Sequence, residues 1–82
     1  MGKVIVVGIG PGGYEDMTIR ADEALRACDA IVGYPVYVEL VRDRYPEKEF
    51  LTTAMTRETQ RCAMALEEAR KGKNVAMICS GD

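Results

Sequence analysis

Val4-Ile5-Val6-Val7-Gly8-Ile9-Gly10-Pro11-Gly12-Gly13 is the stretch that decides the fold. Lys3 to Val7 is an unbroken, mostly β-branched run that stops at Gly8. A run without polar alternation reads as a strand buried on both faces, the signature of a parallel sheet. The glycine-rich turn after it leads into a helix that Asp16 or Thr18 can cap. Ala21, Ala24, Leu25 and Cys28 then recur at i, i+3, i+4 and i+7, which makes one apolar helix face.

The same alternation continues downstream. Ala30-Ile31-Val32 reads as a second strand ending at Gly33. Pro35 suits the first turn of a short helix reaching about Asp43, with Tyr37, Leu40 and Val41 inward. Lys48 to Leu51 is a short strand, charged enough to lie near a sheet edge. Thr56 caps a helix over Arg57 to Lys71, with Cys62, Ala65, Leu66 and Ala69 as its apolar face and Gly72 as its stop. Val75 to Cys79 is the last strand, followed by Ser80-Gly81-Asp82. The order β-α-β-α-β-α-β predicts an α/β fold: a partial parallel sheet of about four strands with flanking helices and right-handed crossovers. The first and last strands are expected side by side. A polar, Gly-containing exit after a strand usually opens a ligand loop, so the chain reads as the front of a longer protein.

Composition narrows the function. The chain has 82 residues, 48% of them hydrophobic and 29% charged, which is globular rather than disordered. A chain this short buries only roughly 60% of the surface its unfolded form exposes, so its core is marginal. With 11 basic and 13 acidic residues the net charge is −2, and nucleic acid is not expected as a partner. No apolar run approaches the roughly 20 residues that span a bilayer, so no membrane partner is expected either. The start, Met1-Gly2-Lys3, lacks the regions of a signal peptide. Cys28, Cys62 and Cys79 are scattered and odd in number, which suits reduced, buried thiols in a cytoplasmic protein. Without histidine or a CxxC pair the chain offers no ordinary transition-metal site, and no metal is expected.

Three groups of residues carry candidate chemistry. Gly8, Gly10 and Gly13 fit G-x-G-x-x-G after a strand, the dinucleotide-binding pattern. Against that reading, Pro11 removes a backbone N–H, and the helix starts too late to face a pyrophosphate. The second strand also ends Val32-Gly33-Tyr34, without an acid for a ribose. A plain tight turn and a different ligand loop both remain open. Ser80-Gly81-Asp82 leaves a strand's carboxyl end, where ligands collect in parallel sheets, and Asp82 is either a ligand acceptor or a helix cap. Tyr34 follows another strand end, and Arg57 can pair with a carboxylate or sit on a solvated face. A self-associating α/β piece without activity is a further alternative, because a cut sheet exposes apolar surface.

Two longer stretches add a resemblance. VIVVGIGPGGYEDMTIRADEALRACDAIVGY (4–34) resembles the amino-terminal segment of the tetrapyrrole (corrin/porphyrin) methylase family, and TRETQRCAMALEEARKGKNVAMICSGD (56–82) resembles its second landmark. VGYPVYVELV and TAMTRETQR are similar to the branch of precorrin-3B C17-methyltransferases and their cobalt-precorrin counterparts. The resemblance implies that residues 1–82 are the incomplete N-terminal α/β domain of a two-domain, homodimeric enzyme. It implies S-adenosylmethionine (SAM) as cosubstrate, a precorrin or cobalt-precorrin as substrate, and C17 methylation with ring contraction in cobalamin synthesis. Carried over residue by residue, Pro11, Gly81 and Asp82 contact SAM. Gly10, Gly12, Gly13 and Tyr14 neighbour the macrocycle, with Tyr34 and Arg57 as weaker carry-overs. No residue is singled out as catalytic; with no histidine, Tyr14, Glu15 and Asp16 are the nearby groups able to move a proton. The second domain would complete the SAM site, so the 82-residue chain alone is expected to be inactive.

Overall fold

A computed structural model describes residues 2–9, 17–52 and 58–79, leaving aside the side chain of Glu58. Strand β1 is Val4–Gly8, helix α1 Ile19–Ala27, β2 Ala30–Gly33 and α2 Pro35–Val41, which runs on into a 3-10 turn at Arg42–Arg44. Then come β3 Glu49–Thr52, α3 Glu58–Arg70 and β4 Val75–Cys79. The four strands form one sheet in the order β1-β4-β2-β3, with every pairing parallel. The expected α/β class and the adjacency of first and last strands both hold.

Strand alternation sorts the core into two layers. Val7, Ile31, Ala76 and Ile78 point to the face covered by α1 and α2 and meet Ala21, Leu25, Val38 and Val41. Val32 and Val75 point to the other face and meet Ala65 and Ala69 of α3. The β1–α1–β2 and β2–α2–β3 crossovers run one way along the sheet and β3–α3–β4 runs back. Crossovers of a single hand must then place α3 opposite α1 and α2.

Local signals set the element ends. Thr18, not Asp16, caps α1: its hydroxyl accepts from the Ala21 N–H at 3.1 Å. At the other end of α1, Lys48 Nζ donates to the Arg26 carbonyl at 2.7 Å. Pro35 opens α2 without needing an N–H there. Gly72 sits at φ 96° just past α3, where a side chain would strain the backbone.

Four expectations are corrected. Strand β1 is not buried on both faces: it lies at the edge of the described sheet, with Ile5 39% and Val6 63% exposed, because among the described residues β4 alone pairs with it. Cys28 is buried, but Cys62 and Cys79 are exposed. Leu40 is exposed, because the short α2 turns Val38 and Val41 inward instead, with Tyr37 packed beside them. Leu66 is exposed as well, because the buried stripe of α3 runs through Ala65, Glu68 and Ala69. Glu68 can take a core-facing position because Lys71 Nζ and Lys73 Nζ neutralise it at 3.0 and 2.8 Å.

Candidate functional site

The carboxyl ends of β1 and β4 lie side by side. Gly8 pairs with Cys79 in register, and the Ile9 N–H extends the ladder by donating to the Cys79 carbonyl at 3.0 Å. The two loops singled out in the sequence therefore leave from adjacent strand ends. Gly10, Pro11, Gly12, Gly13, Tyr14, Gly81, Asp82 and Arg57 themselves lie outside the described residues, as do Glu15 and Asp16. Helix α1 begins at Ile19, six residues after Gly13, so its N-terminus does not follow the third glycine as the dinucleotide pattern requires.

Tyr34 is the described member of the predicted set. It follows β2 directly and occupies the N-cap position of α2. Its ring lies 5.6 Å from that of Tyr37, tilted by 55°. The Arg61 guanidinium sits 5.7 Å from the Tyr34 ring centroid, a cation–π contact that joins α3 to the β2–α2 junction. All three side chains are half-buried. Sequence reasoning missed Arg61. Its one signal is position: a cation in the first turn of α3 opposes the helix dipole, so something else must favour it there.

This cluster stands where the sheet divides. Gly33 at the end of β2 pairs with Thr52 at the end of β3. From there the chain leaves β2 toward α2 on one face and β3 toward α3 on the other. Neighbouring strand exits that diverge to opposite faces are the usual place for a ligand in such sheets.

Among the described residues, the perturbed titrations lie elsewhere. Lys73 is held well above the usual lysine range by hydrogen bonds to Glu49 and then Glu68, and Glu68 is held below the usual carboxylate range by Lys73 and then Lys71. Lys73 precedes β4 and Glu49 begins β3, so this network staples the opposite, amino-terminal edge of the sheet. The Asp22 carboxyl is lowered by its hydrogen bond from the Tyr45 hydroxyl and then by Arg26. Burial raises the Cys28 thiol. These groups tie elements together and face no crevice between strand exits. Among the described residues, no group of three or more His, Cys, Asp or Glu could hold a metal ion. Nor is any described helix long and apolar enough to cross a membrane. A shallow groove of about 190 Å³ runs along β1 and α1, lined mainly by Ile5, Val6, Val7, Ala21 and Ala24. It is the unpaired side of an edge strand rather than a polar binding site.

Comparison with known proteins supplies the remaining context. The chain is 44% identical over 81 residues to the cobalt-factor III methyltransferase of Priestia megaterium, covering 99% of this chain and 15% of that protein. It is 48% identical over 77 residues to a probable cobalt-factor III C(17)-methyltransferase of Salmonella typhimurium, covering 94% of this chain and 32% of that protein. A Methanocaldococcus jannaschii protein with the same description is 46% identical over 77 residues, 94% of this chain and 30% of its own length. The chain thus spans about a third or less of these curated relatives. The sequence profile described as Tetrapyrrole (Corrin/Porphyrin) Methylases matches residues 3–82. With a parallel α/β sheet that brings the two landmark strand ends together and a match over nearly its whole length, the chain belongs to the tetrapyrrole methylase family.

Proposed function

We propose that the protein is the N-terminal part of a SAM-dependent C-methyltransferase that methylates C17 of a precorrin or cobalt-precorrin, with ring contraction, in cobalamin biosynthesis. The observation that carries this reading is the in-register pairing of Gly8 with Cys79, which launches both family landmarks from one place. Support also comes from the names of the relatives, which describe methyltransferases acting on cobalt-factor III. In this reading residues 1–82 are the first α/β domain of two, SAM lies in the cleft between them, and the whole enzyme is a cytoplasmic homodimer.

The structure suits SAM better than a dinucleotide. Nine residues separate Ile9 from Ile19, so α1 does not begin at the third glycine, where a pyrophosphate would need its N-terminus. Pro11, Gly81 and Asp82 would hold SAM there, with Asp82 accepting a charge-assisted hydrogen bond. SAM supplies an electrophilic methyl group. Gly10, Gly12, Gly13 and Tyr14 would border the macrocycle from the same loop, with Tyr34 and Arg57 from the neighbouring exits. The work asked of the protein is mostly alignment of methyl donor and ring carbon, which can lower a barrier by several kcal/mol.

A chimera tests the reading. Placing this chain where the matching 77 residues of the Salmonella relative stand should preserve SAM-dependent methylation of its corrinoid substrate. Asp82→Ala in that chimera should weaken binding of S-adenosylhomocysteine by about 1–3 kcal/mol in calorimetric titration, the scale of a lost hydrogen bond to a charged group. Unchanged affinity would make Asp82 a helix cap, and a chimera that binds no SAM would reject the function.

A further inference from the structure

We propose that Tyr45 is a positioning residue for the glycine-rich loop: it grips Met17 and Asp22, fixes where residues 10–16 join α1, and so sets how tightly that loop holds SAM. The inference rests on the proposed function and adds a residue to it.

The two ends of the loop are held in different ways. At the near end Ile9 is fully buried and its N–H donates to the Cys79 carbonyl at 3.0 Å, so the sheet ladder itself fixes the entry. At the far end Met17 lies outside any strand, and the hold passes to side chains. Met17 packs against the core layer beneath α1, and the Tyr45 hydroxyl lies 3.6 Å from its sulfur. The same hydroxyl donates to the Asp22 carboxylate, one turn into α1, which also accepts from Arg26 Nε at 2.8 Å. A hydrogen bond to an ionised carboxylate is roughly twice as strong as one between neutral groups. Tyr45 is 2% exposed and comes from beyond the 3-10 turn, 28 positions from Met17. A phenylalanine would fill the same core space, whereas a buried hydroxyl has to find a partner. Here it reaches Met17 and Asp22, which flank the Thr18 cap of α1. A ligand that closes a loop must meet the cost of ordering it, and fixed ends reduce that cost. Lys48 provides the contrast: it ties to the Arg26 carbonyl at the opposite end of α1, away from the loop.

The chimera with the Salmonella relative, titrated calorimetrically with S-adenosylhomocysteine, tests this. Tyr45→Phe keeps the ring and should weaken binding about three- to tenfold, the scale of one lost hydrogen bond. Asp22→Ala should weaken it similarly, and Asp22→Asn less, because the amide oxygen still accepts from the tyrosine. Combining Tyr45→Phe with Asp22→Ala should weaken binding no further than the weaker single variant, because both remove one contact. Lys48→Met cuts a tie at the other end of α1, and Ala65→Gly loosens α3 on the other face of the sheet. Both should bind as the unsubstituted chimera does. In the methylation assay Tyr45→Phe should raise KM for SAM at unchanged kcat, whereas a loss of folded enzyme alone would lower kcat at unchanged KM. Unchanged affinity in Tyr45→Phe, an equal loss in Ala65→Gly, multiplied losses in the double variant, or a fall in kcat alone would overturn the inference. The two proposals fail separately. Methyl transfer with Tyr45-independent affinity rejects only the role of Tyr45. Tyr45-dependent affinity in a chimera that transfers no methyl group rejects only the methyl transfer. A chimera that does not bind S-adenosylhomocysteine overturns both.

Discussion

Gly33→Ala probes the packing at the end of β2. An ideal Cβ on Gly33 would lie 2.5 Å from Ile78 Cγ1, 3.0 Å from Ile78 Cδ1 and 3.5 Å from Val38 Cγ2. Ile78 and Val38 are both buried, at 3% and 0% exposure, so neither can swing into solvent. Overpacking of this kind costs about 1–3 kcal/mol. Replacing glycine also removes freedom from the unfolded chain, which returns about 0.4–1 kcal/mol. The net loss should be about 1–2 kcal/mol, a sizeable share of the about 4–12 kcal/mol expected for a domain of this length. Urea denaturation followed by circular dichroism measures it. With a slope near the low end of about 1–3 kcal/mol per molar, the midpoint should fall by roughly 1 M. A double-mutant cycle with Ile78→Ala sharpens the test. Ile78→Ala alone should cost about 2–5 kcal/mol, but it vacates the space that the new methyl needs. The double mutant should therefore lose less than the two single losses combined, by about 1 kcal/mol or more. Strict additivity, or a Gly33→Ala midpoint equal to wild type, would refute the contact between Ile78 and the end of β2.

The network at the other sheet edge should show in acid. The lowered Glu68 adds stability above its ordinary value of 4.5, and loses it as pH falls through the lower folded value. The raised Lys73 adds stability below its ordinary value of 10.5, and loses it as pH rises through the higher folded value. Thermal midpoints from pH 7 down to about 2 should fall less steeply for Glu68→Gln than for wild type, with a smaller difference in high salt. Tyr45→Phe should return the Asp22 carboxyl toward its usual pKa, read as an upward shift in an NMR titration; no shift would exclude the Tyr45–Asp22 bond. Iodoacetamide at pH 8 should label Cys62 in the native chain and leave Cys28 unlabelled until urea is added, as peptide mass spectrometry would show.

Much of the fold was legible because element order and sheet class depend on coarse patterns. The β-branched runs at Val4–Gly8 and Val75–Cys79, the Thr18 cap and the Gly72 stop each have a local cause. What failed depends on neighbours. Nothing within Val4–Gly8 says that β4 is its one neighbour among the described strands, so the exposure of Val6 could not be read from its own segment. The stripe of α3 was placed on Cys62 and Leu66 because Glu68 looks polar, and only the two lysines beside it explain its burial. The sequence marks both landmark loops as candidate ligand loops. That they leave from adjacent strand ends depended on sheet order, which supplies the pairing of Gly8 with Cys79. Arg61 stayed invisible because its partner Tyr34 is 27 positions away, as the numbers 61 and 34 show, and no helical or strand period connects them.

Placing β4 between β1 and β2 has a consequence for biosynthesis. Strands β1 and β2 pair with each other nowhere; β4, the last of these four strands to be made, joins them. While a ribosome is still translating α3, Val4–Gly8 has no partner and β2 has only β3. The sheet can close only when Val75–Cys79 emerges and inserts between strands that are already waiting. Ladders joining residue 4 to residue 75 are the distant kind that slows folding, because the loop must close before any bond rewards it. The waiting strands are bare, apolar and without proline. For the seconds that translation takes, the nascent chain should therefore be a good client for a chaperone that holds extended hydrophobic segments.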